Sequence, residues 1–208
     1  MARGYDLESR PANRHRRGHL GKDDEWIRDF ISRAPLGYFA SRWDDQPFIH
    51  PMTYVYDPER HCIYAHGSVV GRRRANTERH DKMAFCATEM GRLLPSNRAL
   101  HFSSQYRSVM AFGRIRHVED RAEMEHGLYS LIDKYFSPLA LNENYSPIVQ
   151  DDIDRVTVFA LDIESWSGKE NWKAMTSQND GFPPLAEAWH KDEAFPMSFG
   201  RMAPSEDR

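Results

Sequence analysis

Residues 62–77 read CIYAHGSVVGRRRANT. Cys62, Ile63, Tyr64 and Ala65 form a short apolar run, which predicts a buried strand. The run breaks at His66-Gly67-Ser68, and three consecutive arginines follow, Arg72, Arg73 and Arg74. They stand directly after Gly71, at the start of a short helical stretch. A helix start presents free backbone N–H groups and a partial positive charge. Arginine adds a planar fork that grips phosphate through two hydrogen bonds. Two readings stay open for the cluster: a solvated helix face, or one wall of an anion pocket. Arginines on a short surface helix are common, so the cluster alone favours the solvated face.

Working outward, Pro47–Tyr56 (PFIHPMTYVY) reads as the strand before it, with Pro51 marking an edge, a bulge or a ligand-facing kink. Residues 57–60 (DPER) read as a turn, which makes a hairpin of this strand and Cys62–Ala65. Upstream, Gly37–Arg42 is a further strand. Before it, Asp23 or Asp24 caps a helix whose Trp26, Ile27, Phe30 and Ile31 share one face, and Pro35 ends it. Downstream, strands are expected at Lys82–Thr88, Leu100–Ser104 and Tyr106–Val118, with a bulge at Gly113. Asp120 and Glu123 approximate a capping box for a helix striped by Met124, Leu128, Leu131, Ile132 and Tyr135. Arg155–Ile163 is the last strand, and it runs into residues 164–169 (ESWSGK). Short antiparallel strands, then a helix, then a return strand indicate a mainly β, α+β barrel with flanking helices, not a βαβ array.

The division expected is a basic arm over residues 1–22, one domain over 23–175 and an extended tail over 176–208. At 208 residues, 40% apolar and 28% charged, the chain suits one soluble core. A net charge of -3 gives no global drive toward nucleic acid or anionic membranes, so any anion site is local. The arm carries Arg10, Arg14, Arg16 and Arg17 without interleaved aromatics, which argues against a nucleic-acid grip. No apolar leader or membrane-length run is present, and the two cysteines, Cys62 and Cys86, lack metal or disulfide spacing. A cytoplasmic protein is expected. No glycine-rich dinucleotide fingerprint, Walker lysine or nucleophile elbow occurs, and His50, His66, His80 and His101 have no metal-ligand spacing.

Three further stretches carry chemistry. In His50-Pro51-Met52-Thr53 the proline leaves backbone groups without ladder partners, which a flat heteroaromatic ring could use; the bland alternative is an edge strand. Ser108 interrupts an apolar strand with a hydroxyl that could donate to phosphate, or it marks an exposed strand start. Trp166, beside Gly168 and Lys169, either covers a ring or closes a barrel.

Taken in order, FIHPMTYVY, IYAHGS with GRRRA, HFSSQYRSVMAFGRIRHVED and VTVFALDIESWSGK resemble the pyridoxamine 5'-phosphate oxidase-like family of FMN-binding split-barrel proteins. The nearest look is to its flavin-nucleotide-binding or nitroimidazole-reductase-like branch. The resemblance spans roughly Trp26 to Lys173. It implies a homodimer with FMN at the subunit interface and redox chemistry on a small-molecule substrate. His50, Pro51, Met52 and Thr53 would border the isoalloxazine ring, and Tyr64, Ala65, His66 and Ser68 would continue that wall. Arg72, Arg73 and Arg74 would take the phosphate, Ser108 would reach it, and Trp166 would lie near the ring. Some of these would serve the partner subunit's flavin. His66 is the one candidate proton donor. The vitamin oxidases also carry a C-terminal arginine-rich segment, and FPMSFGRMAPSEDR does not match it. A flavin-binding module without catalysis, or a haem protein on the same fold, are the competing readings.

Overall fold

The computed structural model describes residues 13–15, 17–191 and 194–195. Arg10 and Arg16 of the arm and most of the C-terminal FPMSFGRMAPSEDR segment lie outside those residues. Eight strands form one antiparallel sheet: β1 (Gly21–Lys22), β2 (Gly37–Trp43), β3 (Gln46–Met52), β4 (Val55–Asp57), β5 (Cys62–Ser68), β6 (Lys82–Leu94), β7 (Ser103–His117) and β8 (Val156–Asn171). The helices are α1 (Asp24–Arg33), α2 (Arg72–Arg79), α3 (Arg121–Phe136) and α4 (Gln150–Asp154). Strand order is β3-β2-β6-β7-β8-β5-β4, and β1 pairs with β8 at Gly21↔Lys169.

That order forces the sheet to curl. β3 and β4 sit at its two opposite edges, yet only Thr53 and Tyr54 separate them in sequence. Laid flat, the strands between them would hold the edges about 29 Å apart, at about 4.8 Å per step. The chain from Met52 to Val55 reaches about 11 Å at most. The sheet therefore rolls until its edges nearly meet, without β3 and β4 pairing: an open, split barrel. The run Pro47–Tyr56 is thus two strands and not one. Its hairpin with β5 uses only the second, with Val55 opposite Tyr64. Pro47 and Pro51 lie on β3, an edge strand, where a missing N–H is tolerated.

The barrel interior is packed by Phe39, Tyr54, Ile63, Phe85, Val109, Phe159 and Leu161, with Ile27, Phe30 and Ile31 of α1 closing it. A second cluster, Cys62, Tyr64, Met124, Val158 and Ala160, fills the space between the sheet and α3. β5 therefore carries an unbroken apolar run because it is covered on both faces.

Several local expectations change. β5 does not stop at Ala65; His66, Gly67 and Ser68 continue it, paired with Val158, Thr157 and Val156. Leu100–Ser104 is not a strand, since residues 99–101 form a 3-10 turn and Ser103 opens β7. The irregularity near Gly113 is present, but the extra residue is Glu164 of β8: Gly113 faces Ile163 and Phe112 faces Ser165. Asp120 caps α3, accepting from Glu123 N at 2.8 Å. The Glu123 carboxylate does not complete a box; it accepts from Tyr64 Oη at 2.6 Å and from Arg116. Helix α4 is an element that the sequence reading does not place.

Candidate functional site

The rolled sheet brings the end of β3, the end of β5 and the start of α2 together. Gly71 precedes α2 with φ at 132°, a conformation that side chains disfavour, and it leaves the first helical turn without a side-chain cap. The three arginines that follow have different surroundings. Arg72 is exposed and lies over the Trp43 and Phe48 rings, at 5.2 and 5.5 Å. Arg74 is committed: Nε pairs with Glu78 at 2.7 Å and Nη1 donates to Thr157 Oγ1 at 2.7 Å.

Arg73 is half-buried and has no carboxylate partner among the described residues. Its Nη1 meets Met52 Sδ at 2.7 Å, its Nη2 meets the His66 carbonyl at 3.3 Å, and its buried Nε meets no acceptor. The guanidinium also lies 4.6 Å from the Phe159 ring centroid. Gly67 gives it a berth, since a Cβ there would fall 1.5 Å from Arg73 Nη2. A thioether and a carbonyl are weak company for a buried cation, which is most stable beside an anion.

Two histidines flank this charge. His50 Nε2 is 2.8 Å from Ser41 Oγ, which also accepts from Asn76 Nδ2 at 2.9 Å. His66 projects toward α3. Burial, and then the Arg73 charge, hold both imidazoles below the usual histidine pKa, so both are neutral near pH 7. A third, His117, is lowered by burial and Arg74, and its Nε2 is 2.8 Å from Thr77 Oγ1.

Beside the cluster opens a cavity of about 460 Å3. Leu128, Leu131, Ile132 and Phe136 of α3 make its apolar wall, and Thr53, His66, Tyr135 and Asp152 its polar points. Its size and lining suit a mostly apolar small molecule.

Not every sequence candidate converges here. His50, Met52, His66 and Arg73 do, and Thr53 borders the cavity. Pro51 lies exposed on β3 opposite Tyr38. Ala65 is buried in the barrel interior, and Tyr64 turns into the second cluster to reach Glu123. Ser68 is exposed and accepts from Val70 N at 3.2 Å. Ser108 and Trp166 are remote. His66 stands opposite Val158 and Ser108 opposite Lys169, so about 36 Å of extended β8 separates the two. Trp166 donates Nε1–H to Asp24 Oδ1 at 2.8 Å and packs on His61 and Tyr56, closing the barrel against α1.

The sequence reading missed the polar layer beneath α2. Asn76 is fully buried, with Oδ1 unpartnered, and Ser41 and Thr157 are nearly so. The signal was available in part, because Asn76 and Thr77 follow Arg73 by helical spacing and must share its inward side.

A single antiparallel sheet rolled into a split barrel, with an arginine-led helix at its open edge, defines a class of fold more than a reaction. Residues 23–170 match the family described as Pyridoxamine 5'-phosphate oxidase, and the chain belongs to that family. Among solved structures, the chain is similar to the flavocytochrome Anf3 from Azotobacter vinelandii. Identity is 22%, coverage 93% of this chain and 91% of that one, and the TM-score 0.72. It is also similar to the FAD and heme binding protein from Mycobacterium smegmatis, at 19% identity, 78% of each chain and a TM-score of 0.70. A third is a candidate 5-nitroimidazole antibiotic resistance protein from Bacteroides thetaiotaomicron, at 18% identity, 72% of this chain, 84% of that one and a TM-score of 0.60. At these identities the likeness concerns the fold. No curated protein matches the sequence. No described helix is long and apolar enough to cross a membrane.

Proposed function

We propose that the protein binds FMN, or the FMN half of a larger flavin, and performs redox chemistry on a small organic molecule as a homodimer. The observation that carries this reading is Arg73: a half-buried guanidinium, without a carboxylate and with an unpartnered Nε, at an uncapped helix start. That arrangement fits a phosphate. Arg72 adds a second cation without an ion pair among the described residues, whereas Arg74 is held by Glu78 and Thr157. The ends of β3 and β5, from His50 to Thr53 and from Ala65 to Ser68, would border the ring beside the cavity.

When bound, the flavin supplies the hydride or electron transfer that no side chain here provides. The chain binds and orients it. The apolar wall of α3 excludes water from one side, and neutral His66 can take up or hold a proton at the cavity rim. Family membership and the flavin- and haem-binding proteins among the similar folds support the cofactor class. Ser108 and Trp166 lie along β8 away from Arg73, so in this reading they serve a flavin held by a second chain.

The test is the absorbance spectrum of the purified protein, before and after addition of FMN. The reading expects twin flavin bands, a light-scattering mass of two chains, and reduced-nicotinamide turnover with nitro or quinone acceptors. Flavin bands without turnover would leave a binding module. No flavin bands even with added FMN, or a Soret band alone, would overturn the assignment.

A further inference from the structure

A second cavity, of about 340 Å3, lies between the Leu94–Ser103 turn of the β6–β7 hairpin, the 3-10 turn before β1 and the chain beyond β8. It is distinct from the cavity at His66. Arg17, His19, His101 and Lys173 line it, and no aspartate or glutamate does. None of these four side chains has a carboxylate partner among the described residues, and His101 Nδ1 is buried without a hydrogen-bond partner. Two cations, Arg17 and Lys173, thus face one cavity with two imidazoles and no carboxylate, an environment that favours an anion. Ser103, Tyr106, Asn171, Thr176 and Ser177 make more of the lining polar, and an apolar wall comes from Leu94, Leu100, Phe102 and Met175. Three of these are unusually bare: Leu100 is 92%, Phe102 61% and Met175 53% exposed. The walls are also fixed in place. Thr176 Oγ1 donates to the His101 carbonyl at 2.8 Å, and Gln178 Nε2 to the Pro95 carbonyl at 3.2 Å, which ties the chain after β8 to the hairpin turn.

We infer that this cavity is a binding site for a small organic anion, a phosphate or carboxylate carried on an apolar or aromatic body. The anionic group sits among Arg17, His19, His101 and Lys173, and the body covers Leu100, Phe102 and Met175. The site uses no residue of the Arg73 cluster, and competition with FMN separates it from the flavin site proposed above.

Calorimetric titration of the full chain, saturated beforehand with FMN, tests it with phenyl phosphate and inorganic phosphate as probes. One phenyl phosphate per chain should bind, about ten-fold tighter than inorganic phosphate because of the apolar wall. Lys173→Gln and Arg17→Gln should each weaken it about ten-fold, without changing FMN affinity or the melting temperature. Two variants guard against one that fails to fold. Phe102→Ser should remove the preference for the phenyl ester. Arg73→Ala, titrated in the same way, should bind phenyl phosphate like the native chain. Absence of saturable binding, unchanged binding in both basic variants, or displacement of phenyl phosphate by FMN would each overturn the proposal. The last result would make this cavity part of the flavin site.

Discussion

Arg73 shows how much one residue can concentrate. Its charge is the second cause, after burial, of the lowered pKa of both His50 and His66. The consequence for stability has a definite sign. A histidine whose folded pKa lies below its usual 6.5 takes up its proton more readily when unfolded. Stability is therefore full above about pH 6.5 and falls as the pH drops through the folded values, with His117 acting in the same direction. Melting temperatures recorded from pH 8 to pH 5 should decline below about pH 6.5, and the double variant His50→Gln/His66→Gln should flatten that decline. An anion on Arg73 would offset its charge, so FMN-loaded protein should be less acid-sensitive than the free chain. A flat profile in the free chain would contradict the assigned environment. The arginine run was plain in the sequence. Which arginine is free was not, because that depends on Glu78 and Thr157, and the Thr157 contact exists only once β8 is in place.

Among elements, α3 illustrates where local sequence rules reach and where they stop. Its start was legible, since an aspartate before a helical stripe predicts a cap and Asp120 accepts from Glu123 N. The role of Glu123 was not, because tertiary partners outcompete the box. Its carboxylate takes the buried Tyr64 hydroxyl and both Nη atoms of Arg116, tying α3 to β5 and β7. Arg116 in turn holds Glu123 below the usual carboxylate range. Glu123→Ala should cost about 1–3 kcal/mol in chemical denaturation, since it strands a buried hydroxyl and frees a guanidinium. Asp120→Ala should cost about 1 kcal/mol, the usual loss of a cap. Equal costs near zero would mean the Tyr64–Glu123–Arg116 link contributes nothing. The division of Pro47–Tyr56 into β3 and β4 was likewise hidden. Strand-like residues continue through Thr53 and Tyr54, and only the strand order reveals that the chain there crosses from one sheet edge to the other.

For the whole molecule, the antiparallel sheet with flanking helices was readable from alternation, turns and caps, because each is local. The candidate site was readable only in pieces. His50, Met52, His66 and Arg73 meet because the sheet rolls, a property of strand order. Ser108 and Trp166 stay apart from them because β8 is long. The central claim is that Arg73 makes this edge of the barrel a flavin phosphate site. The most direct measurement is a fluorescence titration of flavin-free protein with FMN and with riboflavin, which lacks the phosphate, using the native chain and Arg73→Ala. The account predicts that the native chain binds FMN at least about ten-fold more tightly than riboflavin, and that Arg73→Ala loses most of that preference. Equal affinity for the two flavins in the native chain, or an undiminished preference in Arg73→Ala, would contradict it.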